Sequence, residues 1–199
     1  MRICVVGDEL VAGVGDPRGQ GWVGRVIARS DFQATPTVMS LAVPGENTSG
    51  LAARWENEVL YRLGTEGPRA LVIAVGTGDV FSGLSTARTR LNLANMTDRA
   101  TALGIPSFVI GPPPLAGVDH THVKNIVHAC AQVCERRSLP FVDTFTPLVA
   151  HEQWFEDMAA SCTRSESGVT LPGQAGYALI SWLVLHCGWY EWMGAQPLP

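Results

Sequence analysis

Acidic side chains follow three of the apolar runs in this sequence. Asp8 and Glu9 come directly after the first run, Glu46 follows the second, and Asp79 follows the third. A carboxyl group that is partly desolvated beside other carboxyl groups has a raised pKa, and such a group can transfer protons near neutral pH. Glu9 is therefore the candidate catalytic acid or base, and Asp8 and Asp79 are its candidate catalytic partners.

Two histidines extend the set of candidate side chains. His120 and His122 flank a threonine just after a run of prolines, near the start of a predicted helix. They are candidates for substrate binding, although solvated residues at a helix start have the same pattern. The carboxylates of Glu9, Glu46 and Asp79, combined with His120 or His122, also suit Mg²⁺ or Mn²⁺. We weigh that metal hypothesis as a minor alternative, and we expect neither a metal nor a cofactor.

Alternating strands and helices have to position these residues. Short apolar runs without polar alternation predict strands that are buried on both faces of a parallel sheet. The predicted strands are Ile3–Val6, Val38–Val43, Ala70–Val75, Phe108–Ile110 and Phe141–Val142. The predicted helices are Trp22–Ala28, Ser49–Leu63, Ala87–Leu103, His122–Arg137 and Ala175–Cys187. This order predicts a doubly wound α/β fold, whose ligands bind at the carboxyl ends of the strands.

Composition favours one globular domain over residues 1–199, since 46% of the residues are hydrophobic and 16% are charged. A net charge of -4 does not indicate a surface that binds nucleic acid. No apolar stretch has the length of a membrane span. Five scattered cysteines are typical of reduced thiols, so we expect a cytoplasmic protein.

The loops after the predicted strands, taken in order, resemble the blocks of the SGNH/GDSL hydrolase superfamily. The resemblance covers nearly the whole chain and implies a flavodoxin-like, three-layer α/β/α fold with a five-stranded parallel sheet. The blocks are Val5–Gly13, Gly15–Pro17, Gly21–Arg25, Val43–Thr48, Val75–Asp79, Ile110–Pro114, Phe141–Phe145 and Pro172–Tyr177.

The catalytic positions of the family carry other residues here. The resemblance places the nucleophilic serine on Glu9 and the oxyanion-hole asparagine on Gly78. It leaves Gly45, whose backbone N–H would face an oxyanion, as the one matching position. In the family the aspartates that correspond to Asp8 and Asp79 mainly hold their loops in place.

The catalytic aspartate and histidine of the family are also replaced. With Pro172 as the anchor, they fall on Gly168 and Leu171. A shift of one residue would place them on Ser167 and Thr170, which could not serve as the acid and base either. A hydrolase that loses its nucleophile or its base loses on the order of 10^6 in kcat. The resemblance therefore implies a family member without serine esterase activity.

Three functions remain open. The first is a small-molecule-binding pseudoenzyme whose cleft is lined by Gly45, Glu46, Gly78, His120 and His122. The second is an enzyme that uses Glu9 as a general acid or base, either as a hydrolase that activates water or as an isomerase, cyclase or dehydratase. The third is an interaction protein that acts through the aromatic tail Gly188–Met193, for example by forming a homo-oligomer.

Overall fold

The sheet contains five parallel strands in a computed structural model that describes residues 1–198. The strands follow the order β3-β1-β4-β5-β6 across the sheet. A short antiparallel pair, β2 with β7, lies apart from them. The strands are β1 Arg2–Gly7, β2 Ser30–Asp31, β3 Thr37–Ala42, β4 Arg69–Ala74, β5 Ser107–Ile110, β6 Phe141–Val142 and β7 Gln196–Pro197. The predicted α/β fold with its five-stranded parallel sheet is confirmed.

Helices connect successive strands and cover both faces of the sheet. A kink in the segment Leu185–Trp189, where Cys187 and Gly188 have non-helical backbone angles, joins the last two helices. The helices are α1 Glu9–Ala12, α2 Gly21–Ala28, α3 Thr48–Leu63, α4 Gly78–Phe81, α5 Thr86–Ala102, α6 His120–Glu135, α7 Phe145–Leu148, α8 Glu152–Ser161, α9 Gln174–Val184 and α10 Tyr190–Met193. Among residues 1–198, no helix combines the length and the apolar character that a bilayer span requires.

Strand β1 shows how the apolar runs divide between the two faces. Ile3 and Val5 join the core under α2, α8 and α9, whereas Cys4 and Val6 join the core under α3, α5 and α6. Successive side chains of a strand point to opposite faces, and a sheet covered on both faces buries both sets. This burial explains why the strand carries only apolar residues from Ile3 to Val6, after the exposed Arg2 at its start.

The register brings the ends of neighbouring strands to one edge of the sheet. Gly7 of β1 pairs with Ala42 of β3, and Val6 pairs with Ile73 of β4. The three strands run parallel, so the loops that follow them leave the same edge side by side. This edge carries the acidic residues that the sequence singled out.

The aromatic tail packs against the core. Trp189 is 1% exposed, its ring meets Phe108 edge-on at 5.7 Å between centroids, and its Nε1 donates to Ser30 Oγ at 3.0 Å. The exposed indole in this region belongs to Trp182, which stacks on His186 at 4.3 Å between centroids. Trp189 is therefore unavailable to a partner, which removes part of the basis for the interaction hypothesis.

Candidate functional site

Asp8 and Glu9 follow β1 directly and begin the short helix α1. Asp8 is the N-cap residue, and its Oδ1 accepts the backbone N–H of Leu10 at 3.1 Å. An N-cap carboxylate satisfies a helix donor that has no partner within the helix. This cap fixes the direction in which the chain leaves the strand, so Glu9 points toward the turn after β3.

The Glu9 carboxylate binds the backbone of that turn. Its Oε2 accepts the N–H of Gly45 at 2.7 Å, and Glu9 is only 4% exposed. Gly45 has φ of 72°, a left-handed conformation that favours glycine. The turn can therefore aim its N–H at Glu9 because the position carries no side chain. A negatively charged oxygen lies where this N–H would otherwise meet an external acceptor.

The Asp8 carboxyl group is enclosed behind Glu9. Asp8 is 2% exposed, and its Oδ2 has no hydrogen-bond partner among the described residues. A cavity of about 20 Å³ adjoins it, with Gly76, Gly111 and Thr144 in its lining. Burial, together with the nearby charge of Glu9, raises the pKa of Asp8 to about 7. Asp8 is therefore a carboxyl group that changes its protonation state near neutral pH.

Two glycines after β4 let the backbone close around these carboxyl groups. A Cβ on Gly76 would lie 1.6 Å from Asp8 Oδ2, and a Cβ on Gly78 would lie 2.2 Å from the carbonyl oxygen of Glu46. Neither distance leaves room for a side chain. The turn after β3 therefore packs into the space that a side chain at position 78 would need.

The Glu46 side chain is turned toward α3. Its two carboxylate oxygens accept hydrogen bonds from Nε and Nη2 of Arg54 at 2.7 and 2.6 Å. Arg54 Nη2 also donates to the carbonyl of Leu41 at 2.9 Å. This two-pronged ion pair ties the turn to β3 and α3, so Glu46 serves the structure of the turn. Its role as a ligand-binding residue stays a prediction.

The Asp79 carboxylate accepts hydrogen bonds from residues of two helices. Its Oδ1 accepts the backbone N–H of Thr48 at 2.6 Å, and its Oδ2 accepts the Thr48 hydroxyl at 2.8 Å. The hydroxyl of Thr89 on α5 donates to the same Oδ2. Asp79 is 1% exposed, so these contacts join the starts of α3, α4 and α5. This is the loop-holding role that the family resemblance implies, and a catalytic role for Asp79 stays a prediction.

The two histidines that are candidates for substrate binding lie at the start of α6. His120 Nε2 pairs with the carbonyl of Leu115 at 3.1 Å, and its ring meets Phe145 edge-on at 5.9 Å between centroids. His122 is half-buried. Within residues 1–198, no hydrogen bond joins either histidine to Asp8, Glu9 or Asp79. The structure thus brings Asp8, Glu9 and Gly45 together and leaves the histidines outside that group.

The stretch before α9, where the resemblance expects the aspartate and the histidine, forms a turn closed by the pairing of Arg164 with Thr170. Leu171 is fully buried in the core, and Gly168 is exposed at φ of 82°. Sequence reasoning missed Glu166 in this turn, whose Oε2 lies 3.9 Å from the point where a Gly45 side chain would begin. No local pattern marks Glu166, because its position depends on how two distant loops meet.

The carboxylates do not converge as a metal site would require. Across residues 1–198, no three His, Cys, Asp or Glu side chains form a group that could hold a metal ion. Glu46 is bound to Arg54 and Asp79 to Thr48, so two of the proposed ligands point away from Glu9. The geometry gives no support to the metal hypothesis.

The fold and the loops at the strand ends define an SGNH-type hydrolase fold, and the chain belongs to the GDSL-like Lipase/Acylhydrolase family, whose model matches residues 5–179. Esterase TesA of Pseudomonas aeruginosa is a similar protein, 29% identical over 143 residues, which are 70% of this chain and 69% of the relative. The predicted family is confirmed.

Solved structures share the fold. A lipase/acylhydrolase from Enterococcus faecalis superposes with a TM-score of 0.73 at 20% identity, and the match covers 100% of both chains. A catalytic mutant of Axe2, an acetylxylan esterase from Geobacillus stearothermophilus, gives 0.72 at 17% identity over 96% of this chain and 95% of that chain. At such identities the likeness concerns the fold alone.

Proposed function

We propose that this chain is a small-molecule-binding pseudoenzyme of the GDSL family that lacks the serine triad. The observation that carries the proposal is the 2.7 Å hydrogen bond from the Gly45 N–H to Glu9 Oε2. In acyl transfer, such an N–H stabilises the oxyanion of the tetrahedral intermediate. Here a carboxylate of the chain itself holds the N–H, at the position where the family resemblance expects the nucleophilic serine.

The surroundings of Glu9 support the same proposal. An acyl-serine mechanism needs a hydroxyl group and a base that removes its proton. The hydrogen bonds of histidine rings in residues 1–198 go to backbone carbonyls and to Gln132, and none goes to a serine, threonine or cysteine. The position where the family resemblance expects the catalytic histidine holds the buried Leu171. The position of the oxyanion-hole asparagine holds Gly78, whose close packing leaves no room for a side chain.

The proposal includes a cytoplasmic setting. All five cysteines are free, and Cys4, Cys130 and Cys134 are buried thiols. Burial raises the pKa of Cys4 to about 11, so this thiol stays protonated and weakly reactive at neutral pH. A reducing compartment suits a chain whose thiols do not pair.

The second candidate function is an enzyme that uses Glu9 for acid/base chemistry, and the environment of Asp8 favours it. Two adjacent carboxyl groups, one of them with its pKa raised to about 7, can hold a single proton near neutral pH. Both groups are almost entirely buried, so a substrate would have to displace Glu9 from Gly45 before any proton moves.

Hydrolysis of short-chain esters separates the two functions. Wild type, Glu9→Gln and Glu9→Ser are assayed side by side from about pH 5 to 9, with an active esterase of the family as the positive control. We expect no turnover above the uncatalysed rate in any of the three, because Glu9→Ser restores a hydroxyl group without a base. Wild-type turnover that Glu9→Gln abolishes would overturn the proposal in favour of the second candidate.

The same esters serve as binding probes. Under the pseudoenzyme proposal, at least one ester raises the melting temperature of the wild type without being consumed, because a ligand that binds only the folded state stabilises it. If none of them shifts the melting temperature and none is hydrolysed, then this ligand class is wrong for the cleft.

A further inference from the structure

A second concave site lies between α2 and α9, away from the carboxyl ends of the strands. It is a groove of about 580 Å³, a size typical of small-molecule sites. The segment from Arg18 to Arg29 contributes three arginines to the lining, and α9 contributes Gln174 and two alanines. The groove is lined by Arg18, Gln20, Arg25, Arg29, Gln174 and Ala178, among others.

The arginines of this groove are not equally engaged. Arg25 is buried and forms an ion pair with Asp16, and its Nη1 also donates to the carbonyl of Gly21 at 2.8 Å. The guanidinium groups of Arg18 and Arg29 are exposed and form no hydrogen bond or ion pair with any of residues 1–198. Two uncompensated positive charges therefore face one groove on a chain whose net charge is -4.

One carboxylate also lines the groove, and its charge is already compensated. Asp157 accepts the backbone N–H groups of Gly173, Ala175 and Gly176 at 2.6, 3.0 and 2.9 Å. These are donors from the first turn of α9, where the helix dipole favours a negative charge. Asp157 therefore belongs to the cap of α9, and the charge left over in the groove is positive.

We propose that the groove between α2 and α9 binds a small organic anion with at least two negative charges, carried by phosphate or carboxylate groups. The guanidinium fork binds both groups through paired N–H donors, and Arg18 and Arg29 each lack such an acceptor. The amides of Gln20 and Gln174 line the same groove and supply neutral donors and acceptors. This site is independent of Glu9 and of the function proposed for the strand-end cleft.

Another groove, separate from the one between α2 and α9, provides a control for the arginine substitutions. It lies between α5 and α6, measures about 330 Å³ and is lined by Arg90, Arg136 and Arg137. Two of these arginines already have partners, since Arg90 donates to Gln132 at 2.7 Å and Arg137 donates to Asp98 at 2.6 Å. Arg136 alone has no side-chain partner in the described residues, so removing it subtracts one free surface arginine from a different site.

Calorimetric titration tests the proposal with pyrophosphate and citrate as the dianionic or more highly charged probes. We expect the wild type to bind one of them with a dissociation constant of about 1 mM or tighter at low salt. The double variant Arg18→Ala/Arg29→Ala should bind at least about 10-fold more weakly, which corresponds to about 1.4 kcal/mol. Arg136→Ala should bind as the wild type does. The tighter of the two probes assigns the ligand to the phosphate or the carboxylate class.

Three results would overturn this inference. One is the absence of binding by the wild type at about 10 mM probe, a concentration well above the expected dissociation constant. Another is equal affinity in the wild type and in Arg18→Ala/Arg29→Ala, with circular dichroism showing that the variant is folded. The third is acetate, a monoanion, binding as tightly as the multiply charged probes.

Discussion

Glu9 and Gly45 are 36 residues apart in the sequence, and the carboxylate of the first accepts the backbone N–H of the second at 2.7 Å. Hydrogen bonds to a charged group contribute roughly 1.5–3 kcal/mol, more than neutral ones. The contact therefore closes the cleft at the end of β1 with a side chain of the protein itself. An external ligand that uses the same N–H has to displace Glu9.

The packing at Gly78 predicts that the asparagine expected from the family cannot simply be restored. A side chain at this position meets the carbonyl oxygen of Glu46 at 2.2 Å, so Gly78→Asn must push the turn away. Overpacking of this kind costs about 1–3 kcal/mol of unfolding free energy, which urea denaturation measures. The control is Gly83→Asn, at a glycine with φ of 64° and open space around it, where asparagine is tolerated. Equal stability of the two variants would contradict the observed packing.

The Asp8 carboxyl group predicts an unusual pH dependence of stability. Its pKa is about 7 in the folded protein and near 3.8 in the unfolded chain, so between these values the folded state holds a proton that the unfolded state has lost. Stability contributed by this group is therefore complete below about pH 4, falls as the pH rises to about 7, and is constant above that. The slope is at most about 1.4 kcal/mol per pH unit.

The variant Asp8→Asn tests this dependence, because asparagine resembles the neutral acid and does not titrate. The wild type should lose stability from about pH 4.5 to 7 relative to Asp8→Asn, as measured by urea unfolding at each pH. Asp16 affects stability at a lower pH than Asp8 does. Its hydrogen bond with Arg25 lowers its pKa to about 2, so the stability that it contributes is lost only below about pH 4. Parallel stability curves for the two proteins would show that Asp8 is ionised throughout.

The apolar runs predicted the strands well, because burial on both faces leaves no alternative to β-branched and other apolar side chains, as in Ile3–Val6. The grouping of acidic residues at one edge followed from the parallel order. The partners of those residues could not be predicted. Whether Glu46 faces a ligand or Arg54, and whether Asp79 is free or bound to Thr48, depends on tertiary contacts between loops.

Two tryptophans, Trp189 in the aromatic tail and Trp182 in α9, differ in burial, so their removal should give different results. Trp189→Ala removes an indole that is 1% exposed and should cost about 3–5 kcal/mol of unfolding free energy. Trp182→Ala removes one that is 53% exposed and should cost less than about 1 kcal/mol. Urea denaturation and size-exclusion chromatography of both variants check this. A folded, stable Trp189→Ala that loses an oligomer of the wild type would instead support an interaction role for the tail.

The amide proton of Gly45 in a ¹H–¹⁵N spectrum reports most directly on whether Glu9 holds this N–H. We expect its resonance to lie downfield in the wild type and to move upfield in Glu9→Ala, because a charge-assisted hydrogen bond is lost. The amide of Gly50, which is bound to Asn47 Oδ1 at 3.1 Å, serves as the internal reference and should stay in place. A Gly45 resonance that is unchanged in Glu9→Ala would contradict the account, since the N–H would then be free for an external oxyanion.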